Sequence, residues 1–118
     1  MVVAHGSVGE ALVKAAESIS GVTGVFRHVS NTDCDRGKLE DRVHEAIGGV
    51  PAVVFVDMPS GSCMFAALSR LKAEPEVRVV TGVNLAMLVD FVFHRDITPE
   101  AAAERALASG TKAIKVPG

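Results

Sequence analysis

The run Ala52-Val53-Val54-Phe55-Val56 constrains this chain more than any other feature. An apolar stretch of this length without alternation forms a strand that has no solvent face. Such strands lie inside parallel sheets covered by helices above and below. The rest of the chain must therefore supply two helical layers.

The flanking sequence does so. Val2-Val3-Ala4 is a short β-branched run ended by His5-Gly6. From Val8 the period becomes helical, with Val8, Leu12, Ala16 and Ile19 on one face and Glu10, Lys14 and Glu17 on the other. Gly21 stops this helix. Gly24 to Val29 reads as a second strand, followed by the polar loop Ser30-Asn31-Thr32-Asp33-Cys34-Asp35. Leu39, Val43, Ala46 and Ile47 mark a second helix ended by Gly48-Gly49. After the third strand, Asp57-Met58-Pro59-Ser60-Gly61-Ser62 breaks the run, and Ala66, Ala67 and Leu71 mark a third helix ahead of Pro75. Val77 to Val80 is a fourth strand, and Leu88, Phe91 and Val92 face inward from a fourth helix. Thr98-Pro99-Glu100 opens a fifth: a Thr cap, Pro at the first helical position and an acid in the first turn. Gly110 is expected to close it, and Lys112 to Val116 alternates like a last strand. The order predicts one α/β domain over residues 1–118. Its sheet is four-stranded and mostly parallel, with right-handed crossovers, helices on both faces and an added C-terminal antiparallel strand.

Composition removes several function classes. Hydrophobic residues make up 48% of the 118 and charged ones 22%, which supports a core rather than disorder. The net charge of −2 and the absence of Trp and Tyr offer nucleic acid neither attraction nor stacking. No apolar run approaches the roughly 20 residues that span a bilayer, and no secretory leader is evident. The expected location is the cytoplasm, where Cys34 and Cys63, which form no CxxC, stay reduced.

In open α/β sheets ligands gather beyond the carboxyl ends of the strands, where strand order reverses. In a flavodoxin-like order that point lies between strands one and three. It would bring together His5 and Asp57, which directly follow those strands. A carboxylate on one ring nitrogen fixes the imidazole tautomer and stabilises the positive charge that builds as the other nitrogen attacks. A lone histidine is more often a surface residue ending a strand; the matching Asp57 and the following Gly6 favour the nucleophile. Ser60-Gly61-Ser62-Cys63 opens helix three, where free N–H groups and hydroxyls can cradle an anion, or serve as an ordinary cap. Cys63 is either a thiol activated by the helix start or a small half-buried residue, the commoner case. His28, His44 and His94 share no ligand spacing, and Asp33 and Asp35 fit a solvated loop. The nucleotide-binding glycine motifs and the hydrolase Gly-x-Ser-x-Gly are absent. Neither a cofactor nor a metal is expected.

Ala4-His5-Gly6, Ala15-Ala16-Glu17, Asp57 with Ser60-Gly61-Ser62, and Gly82-Val83-Asn84-Leu85-Ala86-Met87-Leu88 together resemble the mannose-family enzyme IIA domain of the bacterial sugar phosphotransferase system. The likeness runs nearly end to end and takes in Gly110 to Val116. It implies a phosphorelay: the carrier protein HPr phosphorylates His5, and an enzyme IIB domain passes the group to an incoming sugar. It implies that Asp57 orients His5, that Ser62 with Gly61 and Ser60 holds the phosphoryl group, and that a homodimer forms by exchange of the last strand. The sequence departs from the family where Gly-Gly-Ser-Pro would stand, reading Ser60-Gly61-Ser62-Cys63, and where Ala86 replaces the usual Pro. Its first strand is also short, with four residues ahead of His5. Three other readings stay open: a regulatory phosphocarrier, the phosphoryl-carrier subunit of a dihydroxyacetone kinase, and a binding module that has lost phosphorylation.

Overall fold

The computed structural model describes residues 1–72 and 74–118, with Arg70 described by its backbone. Its elements run β1 (Val2–Ala4), α1 (Val8–Ser20), β2 (His28–Ser30), α2 (Arg36–Ile47), β3 (Ala52–Val56), α3 (Ser62–Leu71), β4 (Val77–Thr81), α4 (Leu85–Phe93) and α5 (Pro99–Lys112). The sheet order is β2-β1-β3-β4 and every pair is parallel, as the unbroken apolar run of β3 requires.

Strand alternation feeds two separate cores. Val2, Ala4, Val53, Phe55 and Val80 point to one face and pack against α1, α4 and α5. Val3, Val54, Val56 and Val77 point to the other and pack against α2 and α3. Three of the five phenylalanines lock the first core: the Phe55 ring lies 5.2 Å from Phe91 at a near-perpendicular angle, and Phe26 lies 5.8 Å from Phe91. Helix ends follow local chemistry. Asp35, Asn84 and Thr98 cap α2, α4 and α5 by accepting backbone N–H bonds, and Gly21 and Gly48 end α1 and α2 in the left-handed region.

Four expectations change. First, α1 buries Gly9, Val13 and Ala16, while Val8 and Ile19 lie on the exposed side. Gly9 lies close over β1 and β2, where a Cβ would meet Ala4, His28 and Val2 at 3.5–3.6 Å, ordinary packing distances. Second, β2 begins at His28 rather than Gly24; Gly24 turns at φ +80°, and Phe26 dives into the core ahead of the strand. Third, α5 runs through Gly110 to Lys112. Gly110 is buried and packs on α4, where Asn84 Nδ2 donates to its carbonyl at 3.1 Å and a Cβ would collide with Met87 Cε. It is a contact glycine, not a helix stop. Fourth, Lys112 ends the helix and residues 113–118 form no strand; Ile114 and Val116 are exposed. A strand needs a neighbour, and no strand of this chain pairs with the tail among the described residues.

Candidate phosphoryl-transfer site

The crevice between β1 and β3 holds the chemistry. His5 leaves the end of β1 and Asp57 the end of β3, adjacent strands in the sheet. One oxygen of Asp57 accepts two bonds from the same residue: the His5 backbone N–H at 2.9 Å and His5 Nδ1 at 2.8 Å. Burial on its own would raise the Asp57 pKa. The hydrogen bonds from the His5 backbone and ring, with the ring's charge, outweigh it and hold the carboxyl below its ordinary value. An ionised carboxylate only accepts, so Nδ1 carries a proton, and in the neutral ring the lone pair is on Nε2. The side chain of His5 is 37% exposed, open to a macromolecular partner, while that of Asp57 is 14% exposed.

Backbone geometry keeps the ring in place. Gly6 takes φ +57°, its N–H donates to Asn31 Oδ1 at 3.0 Å, and its carbonyl accepts from Ser30 Oγ at 2.8 Å. Ser30 ends β2 and Asn31 follows it, so the strand beside β1 clamps the turn that presents His5. The composition of this loop signalled only polarity. The available clue was that the switch-point rule extends to the end of β2.

Across the crevice, Gly61 at φ +96° lies against the ring; a Cβ there would sit 3.6 Å from both His5 Cε1 and Nε2. Ser62 begins α3, so the first N–H groups of a ten-residue helix have no intrahelical acceptor near that side of the ring. The structure thus brings Asp57 to Nδ1 of His5 and Gly61 to its Cε1 and Nε2, with Ser62 at the start of the adjoining helix and Ser60 exposed on the connecting loop. His28, His44 and His94 lie elsewhere, on β2, α2 and the end of α4. Cys63, in contrast, is fully buried beneath the site, and donor atoms of His5, Asp57 and Cys63 lie within 4.8 Å of one another. This three-donor cluster was not anticipated. Met58 and Phe65 are exposed apolar residues on the loop and helix beside it, with Arg36 stacked over the Phe65 ring at 5.3 Å. A hollow of about 640 Å³ bounded by Pro51, Pro75, Arg78, Arg95 and Pro99 lies at the amino ends of β3 and β4, the end of the sheet opposite His5.

Fold and site define a doubly wound α/β protein with a partly exposed imidazole, held by a carboxylate, at its switch point. The family described as "PTS system fructose IIA component" matches residues 1–108, and the chain belongs to it. It is therefore a component of the sugar phosphotransferase system, whose IIA members carry phosphoryl groups in sugar uptake. Solved structures agree on the fold. The mannose/sorbose-specific IIA subunit from Enterococcus faecalis superposes with a TM-score of 0.86 at 24% identity, over 99% of this chain and 92% of that one. The phosphotransferase component EIIA from Streptococcus agalactiae gives 0.90 at 16% identity, over 98% and 93%. The IIA protein associated with the fucose utilization operon of Streptococcus pneumoniae gives 0.69 at 26% identity, over 92% and 87%. Comparison with curated proteins finds no match. No helix among the described residues is long and apolar enough to cross a membrane.

Proposed function

We propose that residues 1–118 act as one cytoplasmic enzyme IIA unit in which His5 Nε2 accepts a phosphoryl group from HPr and yields it to an enzyme IIB partner. The observation that carries this reading is the 2.8 Å contact of His5 Nδ1 with Asp57 Oδ2. It leaves Nε2 with a free lone pair on the exposed side and places a negative charge behind the ring.

In the forward step Nε2 forms a bond to phosphorus as the donor's N–P bond breaks, and the ring becomes cationic. Asp57 stabilises that cation and keeps the proton on Nδ1. The N–H groups at the start of α3, with Gly61 and the hydroxyls of Ser60 and Ser62, offer the incoming oxygens a positive helix end. Gly61 has no side chain to crowd the nitrogen. The reverse step, toward enzyme IIB, uses the same groups.

The homodimer belongs to the same proposal. β4 is an edge strand, and a hollow beside it is lined by Val79, Val80, Thr81, Ala103, Glu104 and Leu107. The apolar-alternating tail after Lys112, with Ile114 78% and Val116 98% exposed, is suited to cover that edge on a second copy.

The test is phosphorylation. Incubation with phosphoenolpyruvate, enzyme I and HPr is expected to give one acid-labile phosphate per chain, absent in His5→Ala. A wild-type chain that stays unlabelled with several HPr sources refutes the carrier role.

A further inference from the structure

The buried side of the His5–Asp57 pair holds features that phosphoryl transfer does not use. Asp57 Oδ1 is buried and has no hydrogen-bond partner among the described residues. Buried carboxylate oxygens are seldom left without a donor. Cys63, at the second position of α3, is 0% exposed and stands next to this pair. Its thiol is pushed up to about 11, by burial first and then by the negative charge of Asp57. A lone pair of Asp57 Oδ1 therefore stays unanswered in a pocket shared with the thiol.

We infer that His5, Asp57 and Cys63 form a binding site for zinc, and that occupation of this site withdraws His5 from phosphoryl transfer. The donor set selects the ion. Imidazole, carboxylate and thiolate with one position left to water are zinc ligands, whereas magnesium and calcium take oxygen donors. Tetrahedral zinc holds such donors roughly 3.4–3.6 Å apart. The present spread of up to 4.8 Å must close by about 1 Å at its widest. That closure means exchanging the 2.8 Å contact between His5 Nδ1 and Asp57 for bonds to the ion.

The binding step balances. Zinc accepts lone pairs from one His5 nitrogen, from Asp57 Oδ1 and from Cys63 Sγ, and the thiol proton leaves to solvent. Asp57 is already ionised, so no second proton departs. The site gains one positive charge, which compensates thiolate and carboxylate at once. Either choice of ring nitrogen disables the nucleophile. If Nε2 binds zinc, its lone pair is gone. If Nδ1 binds, its proton moves to Nε2, which then has none to offer.

The binding half of this inference stands independently, and the inhibitory half rests on the carrier role of His5. Cobalt(II) titrated into the full chain is expected to give a thiolate-to-metal charge-transfer band, lost in Cys63→Ser and kept in Cys34→Ser. A wild-type chain without the band, or a band that survives Cys63→Ser, overturns the site. X-ray absorption on the zinc-loaded wild type reads the same point without a core substitution: one sulfur per zinc is expected, and a shell of nitrogen and oxygen alone overturns it. One equivalent of zinc should slow wild-type His5 labelling at least tenfold, with recovery on adding a chelator and no effect on Cys63→Ser. Equal wild-type rates with and without zinc overturn the inhibitory role. Failure of all labelling in metal-free protein counts against the carrier role alone, because the cobalt band still decides the site.

Discussion

Replacing Asp57 by Asn removes a charge and leaves shape nearly unchanged. One Asp57 oxygen accepts from both the His5 backbone N–H at 2.9 Å and Nδ1 at 2.8 Å. An Asn oxygen can still take both bonds, so the turn should persist. The bonds lose their charge assistance, a drop from about 1.5–3 to about 0.5–1.5 kcal/mol for each. The amide NH2 would also take the buried place of Oδ1, which has no hydrogen-bond partner among the described residues. In the transition state the ring is becoming cationic, and opposite charges about 4 Å apart near a surface interact by about 4 kcal/mol. Loss of about 2–4 kcal/mol there slows labelling by about 30- to 1,000-fold. Rapid-quench labelling by phosphorylated HPr measures this. A rate within threefold of wild type, in a variant that folds, would refute the electrostatic role of Asp57.

The same variant carries a pH signature. The folded pKa of Asp57 is depressed, so its contribution to stability is fully present above its unfolded value, about 3.9, and is lost as pH falls through the lower folded value. The gap in urea stability between wild type and Asp57→Asn should therefore shrink as pH falls below about 4. A gap that widens in acid would contradict the sign.

Other perturbations separate positioning from folding. Gly61→Ala must hold a side chain at φ +96° and place a methyl group 3.6 Å from Nε2. It should cost about 1–3 kcal/mol in urea melts and reduce labelling further than that loss explains. Asn31→Ala frees the Gly6 N–H, which is exposed to water. Thermal stability should fall little while labelling slows by about 5- to 10-fold, the equivalent of about 1 kcal/mol of misplacement; unchanged labelling would remove Asn31 from the site. Asn84→Ala loses both its cap on Met87 N–H and its bond to the Gly110 carbonyl. We expect about 1–2 kcal/mol of destabilisation by denaturant, with labelling per folded molecule unchanged. Deleting residues 113–118 should convert a dimer into a folded monomer by sedimentation, and a truncated chain that stays dimeric would rule out strand exchange.

The sequence carried the architecture because parallel sheets and amphipathic helices write their periods locally. The unbroken β3 run, the capping residues Asp35, Asn84 and Thr98, and the stop at Gly48 all act within a few residues of where they stand. The meeting of His5 with Asp57 followed from one topological rule, that ligands gather where strand order reverses, and β1 does lie between β2 and β3. The illegible parts depend on partners distant in sequence. Gly110 looks like a helix stop until Met87 and Asn84 are seen to occupy its side-chain space. The inner face of α1 is Gly9, Val13 and Ala16, set by packing on β1, β2 and α4 rather than by its most apolar stripe. Residues 112–116 have the alternation of a strand, but alternation supplies no neighbour to pair with.

The amino-acid sequence alone settled the order of elements from β1 to α5, the parallel sheet and the strand ends that carry His5 and Asp57, because each depends on local period and on a general rule of chain winding. Tertiary structure alone decided which oxygen of Asp57 holds the ring, that Asn31 and Ser30 clamp Gly6, and that Cys63 lies buried beneath the pair. The bonds among them join residues 24 to 52 apart in the chain, set by how β1, β2 and β3 pack together rather than by any residue's preference for its own conformation.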